Sequence, residues 1–187
     1  MLAPSANQSP TSAHAPAFRR TDPAAAAALI IALVGAATIA GAWFLELVIK
    51  LNPCPLCLEQ RWPYYIGIPL ALLVAIAAWR GAPSVLVTVG LLALAGLMLW
   101  GVYLGVFHAG IEWKWWVGPQ ECSGAPQLGG PGDLMKRLQS INITRCDEAA
   151  WRFLGISLAG YNALISAALA AVALAGAWAS RARPSRY

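Results

Sequence analysis

Two of the four cysteines form the pair Cys54 and Cys57 inside the stretch "NPCPLCLEQRW", Asn52 to Trp62. The other two, Cys122 and Cys146, stand 24 positions apart. Sulfur in such a pattern either exchanges disulfides through a thiolate or holds a soft metal ion. Four-cysteine zinc sites usually use two short-spaced pairs, and only one pair is short here. The wider separation suits a disulfide that closes a loop. A disulfide across two intervening residues removes little entropy from the unfolded chain, so Cys-x-x-Cys is a poor staple and a good electron valve. Arg61 follows Cys57 by four residues, one helical turn on if a helix starts near the motif, and a nearby cation favours a thiolate. The plainer reading of Arg61 is an interfacial anchor that snorkels.

The elements that must position these side chains are membrane spans. The chain has 187 residues, 59% of them hydrophobic and only 11% charged, against roughly 25% charged in a soluble domain. A span needs about 20 mostly apolar residues. Ala24–Val48, Trp62–Trp79, Ser84–His108 and Ile156–Ser180 meet or approach that length. Trp62, Trp79 and Trp178 lie toward span ends, as interfacial aromatics do. Gly35, Gly41, Gly90 and Gly96 are expected to permit close helix approach. Residues 1–23, rich in Ser, Ala and Pro, read as a disordered tail, and residues 181–187 as a second short tail. The first apolar run is too long for the h-region of a signal peptide. The length suits one small bundle, residues 24–180, with no second soluble domain.

Orientation follows from Lys and Arg. Residues 1–23, 80–83 and 181–187 carry six basic residues in 34 positions, with Asp22 their only acid. Residues 49–61 and 109–155 carry seven in 60 positions, with six acids. The denser side is cytoplasmic by the positive-inside rule. All four cysteines then face outward, on the side where disulfides persist in bacteria. The net charge of +5 does not suggest nucleic acid, because the basic residues form no long run. Between Cys122 and Cys146, Leu134, Met135, Leu138 and Ile141 recur at helical spacing beside Lys136 and Arg137. They predict a short amphipathic helix on the membrane surface, with Gly129–Gly132 as a hinge. Trp113, Trp115 and Trp116 read as an aromatic belt, and Glu46 and Glu59 as solvated rim residues.

The segments "CPLCLEQR", "FHAGIEWKWW", "GPQECSG" and "RCDEAAWRFLGISLAGYN" together resemble the disulfide bond formation protein B (DsbB) family. The resemblance covers about Leu45 to Asn162. It implies an all-α bacterial inner-membrane protein: a four-transmembrane-helix bundle with two periplasmic loops, both termini cytoplasmic, and one cysteine pair per loop. It implies a quinone-dependent protein-disulfide oxidoreductase that reoxidises a periplasmic DsbA-like thiol oxidase of thioredoxin fold and passes electrons to ubiquinone or menaquinone. Cys54–Cys57 match the quinone-facing redox disulfide, and Cys122–Cys146 the one that meets the soluble partner. Arg61 and His108 match residues placed at the quinone, and no metal is implied. The spacing from His108 to Cys122 departs from the best-known member, and His108 at a span end also reads as an ordinary interfacial polar residue.

The implied location has a physical reason. A soluble oxidase near about −120 mV is recharged by glutathione-like acceptors, near roughly −200 mV, only at an uphill cost of about 3.7 kcal/mol. A dithiol at the bilayer surface reaches a lipid-soluble, more oxidising acceptor instead. Two other classes stay open on the residues alone: a membrane metal-binding protein using the cysteines and His108, and a non-enzymatic scaffold with structural disulfides.

Overall fold

A computed structural model describes residues 22–119 and 145–181. The expected surface helix between Cys122 and Cys146, and both tails apart from Asp22, Pro23 and Arg181, lie outside the described residues. The elements are α1 (Pro23–Leu47), α2 (Pro55–Glu59), α3 (Trp62–Trp79), α4 (Ser84–Glu112), β1 (Arg152–Phe153), β2 (Ile156–Ser157) and α5 (Leu158–Arg181). Among the described residues, α1, α2 with α3, α4 and α5 supply four helices long and apolar enough to cross a bilayer. Each is only 22% to 44% buried by its neighbours over its most apolar window. The remainder presents side chains such as Leu33, Leu73, Val85 and Leu86 outward, a surface made for lipid. The protein is a four-span helical bundle.

Local chemistry explains the ends. Asp22 caps α1 by accepting from the Ala24 amide at 3.0 Å, with Pro23 in the first turn. Ser157 caps α5 by accepting from the Gly160 amide at 3.2 Å. The strands β1 and β2 pair antiparallel, Arg152 with Ser157 and Phe153 with Ile156. Leu154 and Gly155 join them at φ of 49° and 83°, as a two-residue hairpin turn requires.

The helices pack in the cyclic order α1, α3, α4, α5, with α4 against α5 the most extensive contact. The core contains Ile31, Tyr64, Val87, Leu91, Leu94 and Met98 with many alanines. Small residues let α4 and α5 approach: a Cβ on Gly105 would meet the Ala163 backbone nitrogen at 2.8 Å, and one on Gly101 would meet Ser166 Oγ at 2.8 Å. Gly35 and Gly90 sit tightly against Ile68 and Val74, as expected, whereas Gly41 and Gly96 face open space. Spacing alone does not reveal which side of a uniformly apolar helix faces protein.

α4 runs to Glu112, one turn past His108, and α5 begins at Leu158 rather than Ile156. Ala109, Gly110 and Ile111 are buried and carry the helix on. A histidine read as an interface marker is in fact a buried side chain within the bundle. The end of α1, the start of α3, the end of α4 and the start of α5 converge at one end of the bundle, and the dithiol lies there.

Candidate functional site

Cys54 is the N-cap of α2, and Pro55 occupies the first helical position, where its missing N–H costs nothing. The Cys54 sulfur accepts from the Cys57 amide at 3.3 Å, a role usually played by an oxygen. The two sulfurs are 2.8 Å apart, and both cysteines are free thiols. Cys54 is buried in an apolar cluster with Leu56, Ile111 and Cys146, with Cys57 and Phe107 packed against it. Cys146 is disulfide-bonded; Cys122 lies outside the described residues. The structure thus brings Cys54, Cys57 and Cys146 to one place across some 90 residues of sequence.

Hydrogen bonds converge on Cys54 rather than on Cys57. The Cys57 thiol holds the Cys54 sulfur far below the usual thiol range, at about 5; burial opposes this and His108 assists it. The spacing of Arg61 four residues after Cys57 suggests a thiolate on Cys57. Arg61 instead forms an ion pair with Glu46 at 2.8 Å, its side chain only 12% exposed. Glu46 is therefore not a free rim residue, whereas Glu59 is exposed as expected. The pair clasps the end of α1 to the start of α3.

His108 does join the dithiol. Its Nε2 is 3.6 Å from Cys54 Sγ, and it is 3% exposed. The Cys146 backbone also contacts the imidazole. Five further polar side chains complete the surroundings, and the sequence by itself does not single them out. Gln60 donates through Nε2 to His108 Nδ1 at 2.7 Å. Asn162 donates to Gln60 Oε1 at 2.8 Å. Tyr64 donates to Asn162 Oδ1 at 2.8 Å and lies 2.8 Å from Ser166 Oγ. Glu112 Oε1 is 3.8 Å from His108 Nε2, and its Oε2 is buried without a hydrogen-bond partner. The one available signal was position: Gln60 lies inside the cysteine motif, and Glu112 lies one helical turn after His108.

Of the tryptophans read as a belt, Trp113, Trp115 and Trp116 are exposed and cluster edge to face. Trp116 donates to the Phe107 carbonyl at 2.9 Å. Beside them Lys114 and Arg145 both hold Asp147 at 2.9 Å. Arg145 first and Lys114 second hold the Asp147 carboxyl down at about 2. This charged cluster fastens the Cys146 segment to the end of α4.

A thiol pair, buried at Cys54 and half-buried at Cys57, with a third, disulfide-bonded cysteine packed against it, has the chemistry to exchange disulfides. The family model described as Disulfide bond formation protein DsbB matches residues 24–176. The chain belongs to the DsbB family. Among DsbB relatives, Disulfide bond formation protein B of Polaromonas sp. strain JS666 is 28% identical over 158 residues, covering 78% of this chain and 85% of that protein. The namesake from Marinobacter nauticus is 29% identical over 154 residues, covering 78% and 86%. That from Azoarcus sp. strain BH72 is 32% identical over 152 residues, covering 74% and 83%. No solved structure is significantly similar. With its four spans, this DsbB-family chain is a multi-pass bacterial membrane protein of disulfide bond formation.

Proposed function

We propose that the protein reoxidises a periplasmic DsbA-like thiol oxidase of thioredoxin fold and passes the electrons to a membrane quinone, ubiquinone or menaquinone. The observation that carries this reading is the Cys54–Cys57 dithiol at one end of the apolar bundle, with His108 Nε2 at 3.6 Å from Cys54 Sγ and disulfide-bonded Cys146 in the same cluster. The basic-residue asymmetry supports a periplasmic dithiol end and cytoplasmic termini.

The steps balance as two-electron exchanges. A thiolate of the soluble partner attacks Cys122 of a Cys122–Cys146 disulfide, forming a mixed disulfide and freeing Cys146 as thiolate. Cys146 attacks Cys54 of an oxidised Cys54–Cys57 pair, which frees Cys57. The partner's second thiolate resolves the mixed disulfide and leaves oxidised. Cys122 then regains Cys146, and Cys54 and Cys57 remain with two electrons to give. A bound quinone would supply the acceptor for those two electrons and two protons. The residues present fit such a group. Arg61 offers planar donors for a carbonyl oxygen, and the partnerless Glu112 Oε2 offers an acceptor for a quinol hydroxyl. His108 holds hydrogen-bond contact with the sulfur.

The test mixes purified protein in nanodiscs with quinone and a reduced thioredoxin-fold oxidase and follows quinone absorbance. Reduction of quinone that requires the soluble dithiol is expected. Absence of reduction with either quinone sinks the proposal. One observation favours a second reading: the Cys54, Cys57 and His108 donor atoms lie within 4.8 Å of one another, a soft donor set for a thiophilic metal. Stoichiometric metal in the purified protein, with thiols that alkylate only after chelation, would establish it.

A further inference from the structure

The hydrogen bonds that run from the dithiol into the bundle constrain one another. Amide nitrogens only donate, and amide oxygens only accept. Gln60 Nε2 faces His108 Nδ1 at 2.7 Å, so Nδ1 must present its lone pair. Gln60 can take this orientation because Asn162 Nδ2 donates to Gln60 Oε1 at 2.8 Å. Asn162 in turn is oriented because Tyr64 donates its phenol proton to Asn162 Oδ1 at 2.8 Å. That commits the one proton of Tyr64, so Ser166, at 2.8 Å, is the donor in their bond.

A neutral imidazole whose Nδ1 accepts carries its proton on Nε2. Nε2 faces two side-chain acceptors, Cys54 Sγ at 3.6 Å and Glu112 Oε1 at 3.8 Å, and the Cys146 backbone also contacts the ring. The Cys54 sulfur already behaves as an acceptor, since it takes the Cys57 amide at 3.3 Å. Turning both amides over yields the alternative pattern, with the proton on Nδ1. That pattern sets the Nε2 lone pair against Glu112 Oε1 at 3.8 Å, a repulsive contact in a low-dielectric site whenever that carboxyl is ionised. The Glu112 end of the chain therefore selects the first polarity, and the Tyr64 and Ser166 hydroxyls, which both donate and accept, accommodate it.

We propose that Gln60, Asn162 and Tyr64 are positioning residues that hold His108 in its Nε2-protonated form, making it a hydrogen-bond donor to Cys54 rather than the base that removes a thiol proton. In this form Nε2 has no lone pair with which to take the proton. The consequence for turnover rests on the redox reading above; the tautomer itself does not.

The experiment is nitrogen NMR of full-length protein carrying labelled histidine, in nanodiscs at pH 8. The chain has two histidines, and His14→Gln leaves His108 as the only signal. The parent is expected to show the protonated nitrogen at Nε2. Asn162→Asp decides the matter at a distance. An ionised carboxylate only accepts, so Tyr64 donates to one oxygen and Gln60 Nε2 to the other. Gln60 Oε1 then faces His108 Nδ1 and draws the proton there. Gln60→Glu should move it likewise across a single bond, and it carries the test if Asn162→Asp fails to fold. A parent with its proton on Nδ1 overturns the proposal without any variant, and so does a folded variant whose proton stays on Nε2. Both variants should lose about tenfold in quinone turnover, the worth of one hydrogen bond to a charged sulfur. A moved proton with unchanged turnover would leave the tautomer assignment standing and remove His108 from the redox chemistry.

Discussion

The two ends of the bundle both bury polar side chains, and they do it differently. At the end away from the dithiol, Thr88 donates to Ser180 Oγ at 3.1 Å, and Ser180 donates to the Ser84 carbonyl at 3.2 Å. That chain joins α4 to α5, closes on a backbone oxygen and contains nothing that titrates near neutral pH. At the dithiol end the chain from Ser166 to His108 finishes on a sulfur, beside a carboxylate with a partnerless oxygen. In an apolar surround, a chain closed on the backbone is a staple. A chain that finishes on an ionisable, exchangeable atom sets up chemistry. Buried polarity alone does not mark a site; where the chain ends does.

The largest expected effect separates the ends outright. Cys54→Ser should reduce thiol-dependent quinone reduction to background while the protein still purifies folded; residual turnover above background would move the redox centre elsewhere. Next comes Arg61→Lys, which keeps a charge and loses the planar fork. An apparent KM for quinone raised about tenfold is expected, equivalent to one charge-assisted hydrogen bond, with exchange between the soluble partner and Cys122–Cys146 intact. If Arg61→Lys and Arg61→Ala both turn over like the parent, the guanidinium serves only to hold Glu46.

A smaller effect is a pH profile. Cys54 sits at about 5, so it stays thiolate at every pH above that value and becomes protonated only as pH falls through it. Its alkylation rate in the reduced protein should therefore be flat from about pH 8 to 6, whereas an ordinary thiol, near 8.5, slows about tenfold per unit there. A steady decline across that range would remove the argument for Cys54 as the acceptor of the site. Smallest is Thr88→Val at the opposite end. It should cost about 1 kcal/mol of stability, one neutral hydrogen bond, read as a lower midpoint in a denaturation series. Turnover should stay within about twofold; a larger fall would mean that the two ends are coupled.

The four spans and the cysteine motif were legible because they are local signals. Length and apolarity over about 20 residues specify a span whatever surrounds it, and Cys54 and Cys57 need only three positions of chain to meet. His108 was legible through its family pattern, but its burial was not, since one polar residue late in an apolar run looks like an interface. Glu46 looked solvated for a similar reason: nothing near it in sequence foretells Arg61.

What the sequence determined by itself was therefore the solvent of the fold, the number of crossings and the local meeting of Cys54 with Cys57. What only the tertiary structure decided was the set of partners around that pair. Gln60, His108 and Asn162 come from three different segments and meet only when α3, α4 and α5 pack. Gly101 and Gly105 let α4 close on α5 at Ser166 and Ala163. Hydrogen bonds reach about 3 Å, so the direction of each bond along the chain, and with it the tautomer of His108, depends on atoms placed by packing across about a hundred residues.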